Sequence, residues 1–206
     1  MSAQLDLFGR GEPRFDPRFS GARRIALEPD AWLEFVPGWL RGHQALFDLL
    51  LASVRFQGER RVMYDRVVEV PRLYAELNAD DPRPAVIEAM RSVLSRRYGE
   101  QFSRVSLGYY RDGRDSVAFH GDRIARTLPN ALVATVSLGA PRRFLLRPVA
   151  GGKSMAFSLG RGDLMVMGGS CQRTWQHAIP KSLSVGEQAR IAIMFRPHWG
   201  ESADND

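Results

Sequence analysis

Three side chains in the second half of the chain are of the types that bind a transition metal. His120 and Asp122 belong to the tetrapeptide FHGD, and His177 follows in TWQHAI. Two imidazoles and one carboxylate leave three adjacent positions of an octahedral Fe(II) open, which suits oxygen chemistry. Because side chains two residues apart on an extended chain point to the same face, His120 and Asp122 can both reach one ion. The spacing therefore indicates an iron site.

Two arginines close the same segment, in RIAIMFR. The period of two along a strand puts Arg190 and Arg196 on one face, and the apolar residues fall on the other: Ile191, Ile193 and Phe195. One face is expected to be core, and the other to carry two cations towards the metal. Each metal-binding residue alone would be better explained as an ordinary surface or core residue. Their conjunction with the arginine pair favours the metal site.

Six segments come in a fixed order between about Leu107 and Pro197: LGYYRDG, HGD, TVSLGAPRRF, GRGDLMVMGG, the histidine of QHAI, and the two arginines of RIAIMFR. In these segments the sequence resembles the AlkB family of Fe(II)- and 2-oxoglutarate-dependent nucleic-acid dealkylases. The resemblance implies that His120, Asp122 and His177 bind Fe(II), and that 2-oxoglutarate is the cosubstrate alongside O2.

The resemblance also assigns the residues that hold the cosubstrate. It implies that Arg190 binds the distal carboxylate of 2-oxoglutarate through its planar fork of donors, helped by the hydroxyl of Tyr110. Arg196 would lie nearer the iron-bound end. The family often has Asn where this chain has Gly108 and a second Asn where it has Ala192, and both amides contact the cosubstrate. Weaker or differently arranged binding of 2-oxoglutarate is therefore expected.

The activity implied by the resemblance is oxidative dealkylation of alkylated or etheno-modified bases. O2 and 2-oxoglutarate would be used to hydroxylate the N-alkyl carbon, with release of an aldehyde, succinate and CO2. The expected partner is damaged DNA, single- or double-stranded, with RNA as an alternative. Ile124 and Ala125 stand where AlkB-like repair enzymes commonly carry acidic residues that contact the damaged base. Less polar recognition is therefore expected, and etheno bases become candidate substrates.

Residues 55–78 hold many arginines among apolar and aromatic residues. Taken alone, this stretch fits a hairpin with an exposed charged face. With the iron site downstream, the resemblance favours a nucleotide-recognition lid, in which VPRLY supplies an aromatic side chain to stack on an extruded base. The candidate substrate-binding residues are Tyr74, Arg72, Met63, Tyr64 and His120.

Composition indicates one ordinary globular domain, because the 206 residues are 44% hydrophobic and 25% charged. A single cysteine excludes a disulfide framework. Residues 1–30 contain neither an apolar signal core nor a membrane-spanning run. We therefore expect a soluble, cytoplasmic monomer without membrane contact. A net charge of +6 and a pI of about 10.1 favour binding to a polyanion.

The expected fold class is α+β and mainly β. A single dioxygenase domain over residues 23–200 would follow a flexible N-terminal arm over 1–22 and precede an acidic tail over 201–206. Over about 103–197, short apolar runs alternate with Gly, Pro and Asp turns, without a convincing helix. With the metal motif, this pattern implies a double-stranded β-helix, or jelly-roll, core.

Two helices are expected to back this core. The first covers residues 43–54, where the apolar positions at helical spacing are Leu46, Leu49, Leu50 and Val54. The second begins with Asp81 as its cap and Pro82 at its first position, and it ends at Gly99. Its predicted buried residues are Val86, Met90, Val93 and Leu94.

A pentapeptide near the N-terminus resembles the linear motif by which bacterial DNA repair and replication proteins bind the sliding clamp. Its residues are Gln4, Leu5, Asp6, Leu7 and Phe8. In such a motif the glutamine meets a polar rim, and the Leu and Phe fill an apolar pocket. The alternative is that its apolar residues pack on the protein's own body as a short strand.

Other functions fit parts of the sequence. A 2-oxoglutarate-dependent hydroxylase of a protein or a small molecule would keep the iron site without needing a basic, aromatic lid. A binding-only protein would not need intact metal ligands together with both arginines. A nucleophile pair of Cys171 and His177 lacks a matching third group.

Overall fold

In a computed structural model of the chain, the described residues are 9–63, 66–78, 81–122, 128–182 and 188–198, excluding the side chains of 59–69. The helices are α1 His43–Ser53, α2 Ala85–Tyr98 and α3 Cys171–Thr174. The strands are β1 Arg14–Phe15, β2 Arg23–Leu27, β3 Ala31–Val36, β4 Leu40–Arg41, β5 Gln57–Met63, β6 Arg66–Leu77, β7 Arg104–Tyr110, β8 Val117–His120, β9 Val133–Gly139, β10 Arg142–Pro148, β11 Met155–Leu159, β12 Leu164–Gly169, β13 Trp175–Ile179 and β14 Arg190–Arg196.

Two antiparallel sheets form the body of the fold. The large sheet has the strand order β2-β3-β12-β9-β14-β7-β6-β5, and the small sheet has the order β11-β10-β13-β8. Apolar side chains from both sheets pack between them, among them Leu33, Met165, Leu146 and Trp175. Two facing sheets around one apolar layer are the architecture of a jelly-roll. The predicted mainly β fold is confirmed.

The other face of the large sheet is covered by the two long helices. Leu46 and Leu50 of α1, and Met90 and Leu94 of α2, are buried in one cluster with apolar residues of the sheet. The sheet contributes residues such as Leu107, and the apolar face of β14 contributes the three residues predicted to be core: Ile191, Ile193 and Phe195. The helices therefore back the sheet from the side opposite to the small sheet.

Helix α1 agrees with the predicted range, but one of its predicted core residues is wrong. The buried stripe runs through Leu46, Phe47 and Leu50. Leu49 is 49% exposed because it lies beside this stripe, on the solvent side of the helix. A run of three leucines cannot all point to the core at 3.6 residues per turn.

Helix α2 begins later than predicted. Its first residue is Ala85 and its N-cap is Pro84, so the start at Asp81 is wrong. A proline disfavours the helical conformation in the residue before it, which excludes Arg83 from the helix. The carboxylate of Asp81 instead accepts a hydrogen bond from the backbone N–H of Asn78 at 2.6 Å. The end at Gly99, with a φ of 69°, is confirmed.

The second half of the predicted N-terminal arm packs on the domain. Strand β1 pairs with β4, and Phe19 is only 4% exposed because its ring stacks on Trp39 at a centroid distance of 5.4 Å. Burying two large aromatic rings against each other is favourable enough to fix this segment. Residues 9–22 therefore belong to the folded domain, whereas residues 1–8 and the tail over 201–206 lie outside the described residues.

None of the helices in the described ranges combines the length and the apolar character that crossing a bilayer requires.

Candidate metal and cosubstrate site

Strands β8 and β13 bring two histidines together. His120 is the last residue of β8 and is directly paired with His177 of β13, with the ring centroids 4.3 Å apart. Asp122 follows just after β8. The ligand atoms of the three side chains all lie within 4.8 Å of one another. The three residues expected to bind the metal therefore form one cluster that can hold a single ion.

The turn that carries Asp122 is fixed by Gln172, a residue that sequence reasoning missed. The backbone N–H of Asp122 donates to Oε1 of Gln172 at 3.0 Å, and Gln172 is 2% exposed. A Cβ on Gly121 would lie 2.3 Å from the backbone oxygen of Gln172, so only glycine fits there. Gln172 of α3 thus fixes the metal-binding turn in two ways. Its main-chain oxygen packs closely against Gly121, and its side chain accepts the backbone N–H of Asp122.

Hydrogen bonding also orients one of the imidazoles. Nδ1 of His120 lies 2.8 Å from the backbone oxygen of Ala118. Because a carbonyl oxygen can only accept, Nδ1 is the protonated nitrogen, and Nε2 keeps its lone pair for a metal. The ring of His177 stacks on Phe144 at 5.6 Å, with 14° between the ring planes. Both imidazoles are therefore held in defined orientations.

The charges around the cluster favour the protonation states that a metal needs. Burial would raise the pKa of Asp122, but the Arg196 guanidinium and the two imidazoles outweigh this effect and lower it below its usual value. Nε of Arg196 donates to Oδ2 of Asp122 at 2.6 Å. Burial, reinforced by His120, lowers the pKa of His177 to about 3. The carboxylate is ionised and His177 is neutral at physiological pH, as ligands must be.

A second group of polar residues lies on the same face of the large sheet. Arg190 is 1% exposed, pairs with Tyr110 across β14 and β7, and donates to Oγ of Ser137 at 2.7 Å. Burial lowers the pKa of Arg190. Within the described part of the chain, its Nε has no hydrogen-bond partner. A buried guanidinium with an open donor is suited to a carboxylate ligand.

Arg142 is a structural residue of this site that sequence reasoning did not single out. It is 1% exposed, and its guanidinium donates to the backbone oxygens of Asp112 at 2.9 Å, Asp115 at 2.9 Å and Pro180 at 3.0 Å. These bonds join the loop after β7 to the segment after β13. The guanidinium carbons of Arg142 and Arg190 lie 5.7 Å and 5.1 Å from the ring centre of Tyr110, so the loop that Arg142 fixes begins beside Arg190.

The stretch expected to act as a lid is an edge hairpin. Strands β5 and β6 pair antiparallel at one end of the large sheet. Tyr74 is partly buried opposite Gly108, on the face of the large sheet that also carries Tyr110 and Arg196. Arg72 is 7% exposed, with Nη1 3.5 Å from the hydroxyl oxygen of Tyr110. Both residues therefore border the cluster.

Tyr64, Ile124 and Ala125 lie outside the described residues, as do Gln4, Leu5, Asp6, Leu7 and Phe8. Met63 is the last residue of β5, and its side chain is likewise not described.

Several known proteins are similar to this chain in sequence, and a solved structure is similar to it in fold. Alpha-ketoglutarate-dependent dioxygenase alkB homolog 3 of Rattus norvegicus is 29% identical over 218 residues, covering 94% of this chain and 73% of that protein. DNA oxidative demethylase ALKBH2 of Homo sapiens is 31% identical over 125 residues, covering 56% of this chain and 48% of that protein. The structure of OsALKBH1 superposes with a TM-score of 0.55 at 16% identity, over 85% of this chain and 100% of that one.

These matches confirm the AlkB resemblance, and the last comparison supports the fold alone. The sequence model of the 2OG-Fe(II) oxygenase superfamily matches residues 77–196, which contain the whole metal cluster, Tyr110 and both arginines. The match covers more than half of the chain. The chain therefore belongs to the 2OG-Fe(II) oxygenase superfamily.

Proposed function

We propose that this oxygenase repairs alkylated or etheno-modified bases in DNA by oxidative dealkylation. The reaction would hydroxylate the N-alkyl carbon and release an aldehyde, succinate and CO2. The observation that carries the proposal is the convergence of the metal cluster and the buried Arg190 on the space between the sheets, beside the β5–β6 hairpin. The names of the relatives, an alkB homolog and a DNA oxidative demethylase, support a nucleic-acid substrate.

The donor set fits Fe(II) and 2-oxoglutarate. Two imidazoles and one carboxylate suit Fe(II), and the open Nε of Arg190 suits the far carboxylate of a dicarboxylic acid. When bound, Fe(II) and 2-oxoglutarate supply the oxidation of a C–H bond by O2. Arg196 holds the Asp122 carboxylate in place through its 2.6 Å bond. Tyr110 lies against Arg190, with the guanidinium carbon 5.1 Å from the ring centre, and limits where a carboxylate can bind.

The protein must also hold the base and exclude water. The buried ring of Phe144 covers one side of His177 and keeps bulk water from that side of the cluster. A base removed from its stack would need an aromatic partner, and Tyr74 is the aromatic residue of VPRLY that borders the site. We assign Met63, the last residue of β5, and Tyr64, which follows it in the sequence, to the gap left in the duplex, and His120 to the opposite side of the base.

The proposal is tested with a panel of modified oligonucleotides. Fe(II)-loaded protein is incubated with 2-oxoglutarate, ascorbate and strands that carry methyl or etheno lesions, as single-stranded DNA, duplex DNA and RNA. Mass spectrometry should show loss of the adduct in at least one DNA substrate, and the His177→Ala variant should show none. Succinate formation without loss of any adduct would contradict repair. Such a result would favour hydroxylation of a protein or a small molecule.

A further inference from the structure

At position 108, where the family often carries an asparagine, this chain has a glycine, and the guanidinium of a neighbouring arginine lies close to it. Gly108 of β7 lies between Tyr74 of β6 and Ala192 of β14 in the sheet register. A Cβ on Gly108 would lie 3.3 Å from Nη1 of Arg72 and 3.6 Å from Cε of Met194. The end of the Arg72 side chain therefore lies where a side chain at position 108 would begin.

Arg72 is placed in the cosubstrate region by its neighbours. It is 7% exposed, and its Nη1 lies 3.5 Å from the hydroxyl oxygen of Tyr110, which itself pairs with Arg190. Besides burial and the charge of Arg142, the charge of Arg72 contributes to lowering the pKa of Arg190. The guanidinium is thus close to the residue expected to hold the distal carboxylate.

The buried guanidinium of Arg190 beside Tyr110 favours an anionic ligand. Arg142 directs three of its hydrogen bonds at backbone carbonyl oxygens. Arg190 forms no ion pair with any carboxylate of the described residues, and Arg72 lies on the same face of the sheet. A carboxylate bound beside the buried guanidinium of Arg190 compensates its charge, and the guanidinium of Arg72 is near enough to donate to the same group. A dicarboxylate supplies that group.

We propose that Arg72 binds 2-oxoglutarate beside Arg190 and Tyr110, and that it replaces the amide contacts which Gly108 and Ala192 cannot make. This assignment rests on the proposed use of 2-oxoglutarate, and it differs from the substrate-binding role expected from the sequence. The cosubstrate site is then built from three strands, β6, β7 and β14, and the edge hairpin contributes to it directly.

Calorimetry without O2 or nucleic acid tests the assignment. Fe(II)-loaded protein is titrated with 2-oxoglutarate, and Arg72→Ala should raise the Kd roughly ten- to hundredfold, the range for losing a hydrogen bond to a charged group. Arg72→Lys should lie in between, because a point charge replaces a fork. Arg143→Ala, which removes an exposed arginine from the small sheet, is the matched control and should leave the Kd unchanged.

A pair of variants at Gly108 sharpens the test. Gly108→Asn alone should weaken 2-oxoglutarate binding, because the new Cβ would meet Nη1 of Arg72 at 3.3 Å. In the Arg72→Ala background the same substitution should recover part of the lost affinity, because the amide then has space. If Arg72→Ala does not fold, Arg72→Gln keeps most of the buried stem and serves in its place.

If folded Arg72→Ala binds 2-oxoglutarate with an unchanged Kd, the assignment is overturned. Weaker oligonucleotide binding by the same variant would then show that Arg72 contacts the nucleic acid instead. An equal loss in Arg143→Ala would also overturn it, since the effect would then be one of general charge. Failure of the wild-type protein to repair any oligonucleotide would refute the proposed dealkylation. It would leave the result of the 2-oxoglutarate titration intact.

Discussion

Replacing Gln172 with methionine should weaken metal binding without unfolding the protein. Gln172 is 2% exposed, and its Oε1 accepts the backbone N–H of Asp122 at 3.0 Å. Methionine fills a similar volume, but its sulfur is only a weak acceptor. A buried N–H without a partner costs about 1–3 kcal/mol, which corresponds to roughly a 5- to 150-fold change in an equilibrium constant.

This cost should appear mainly in the affinity for Fe(II), because Gln172 holds the backbone of the metal-binding turn, whereas Arg196 holds the carboxylate of Asp122. Residues that support metal ligands typically change metal affinity about 10–100-fold when they are replaced. The assay is a titration of Fe(II) against a competing chelator without O2, alongside thermal unfolding of the metal-free protein. Gln172→Glu, which keeps an acceptor oxygen, should recover part of the affinity.

Gln176→Met is the matched control, because Gln176 accepts from Arg147 at 3.1 Å on the partly exposed side of β13. It should leave the Fe(II) affinity unchanged. If Gln172→Met binds Fe(II) within twofold of the wild type, Gln172 does not position the ligand. A large fall in the melting temperature of the metal-free protein at unchanged Fe(II) affinity would show that Gln172 acts only in packing.

Four further outcomes are expected. His177→Ala should abolish turnover with the fold intact by circular dichroism, and full activity would refute the iron site. Arg190→Lys should raise the Michaelis constant for 2-oxoglutarate at least severalfold, because lysine lacks the planar fork, and an unchanged constant would count against its role. Tyr74→Ala should impair oligonucleotide repair by one or two decades, the equivalent of about 1–3 kcal/mol of stacking, while sparing uncoupled succinate formation. Equal loss of both activities would make Tyr74 a packing residue. Replacing Leu7 and Phe8 with alanine should abolish micromolar binding to a bacterial sliding clamp in calorimetry and leave repair of short oligonucleotides unchanged, and no heat with the unmodified chain would refute clamp binding.

Local patterns predicted some features of individual elements correctly. The alternation in RIAIMFR correctly predicted which side of β14 is core, because Ile191 and Ile193 are fully buried against the helices. Gly99 correctly predicted the end of α2, since its φ of 69° is a conformation that glycine adopts without strain. Such signals depend only on the backbone and on the side of an element that faces the core.

Residues that act across the fold were not predictable in this way. Arg142 bonds to backbone oxygens 27 to 38 positions away, and Gln172 accepts from a backbone nitrogen 50 positions away. A hydrogen bond to a main-chain atom does not restrict the side-chain type of the residue that supplies this atom, so the sequence pattern does not reveal it. From the sequence, Gly108 could be recognised only by the absence of the amide that the family often carries there. The guanidinium that lies beside it belongs to Arg72, on another strand.

The central place of β14 in the large sheet has a consequence for synthesis of the protein. Strands β9 and β7 flank it on either side, so a nascent chain that has emerged only to residue 189 has an open edge on each of them. Unpaired strand edges can form hydrogen bonds with other chains, so the partly synthesised protein is prone to aggregation. The same chain also lacks Arg190 and Arg196. A ribosome-bound intermediate therefore has no complete oxygenase centre, and oxidising chemistry begins only after the last strand has inserted.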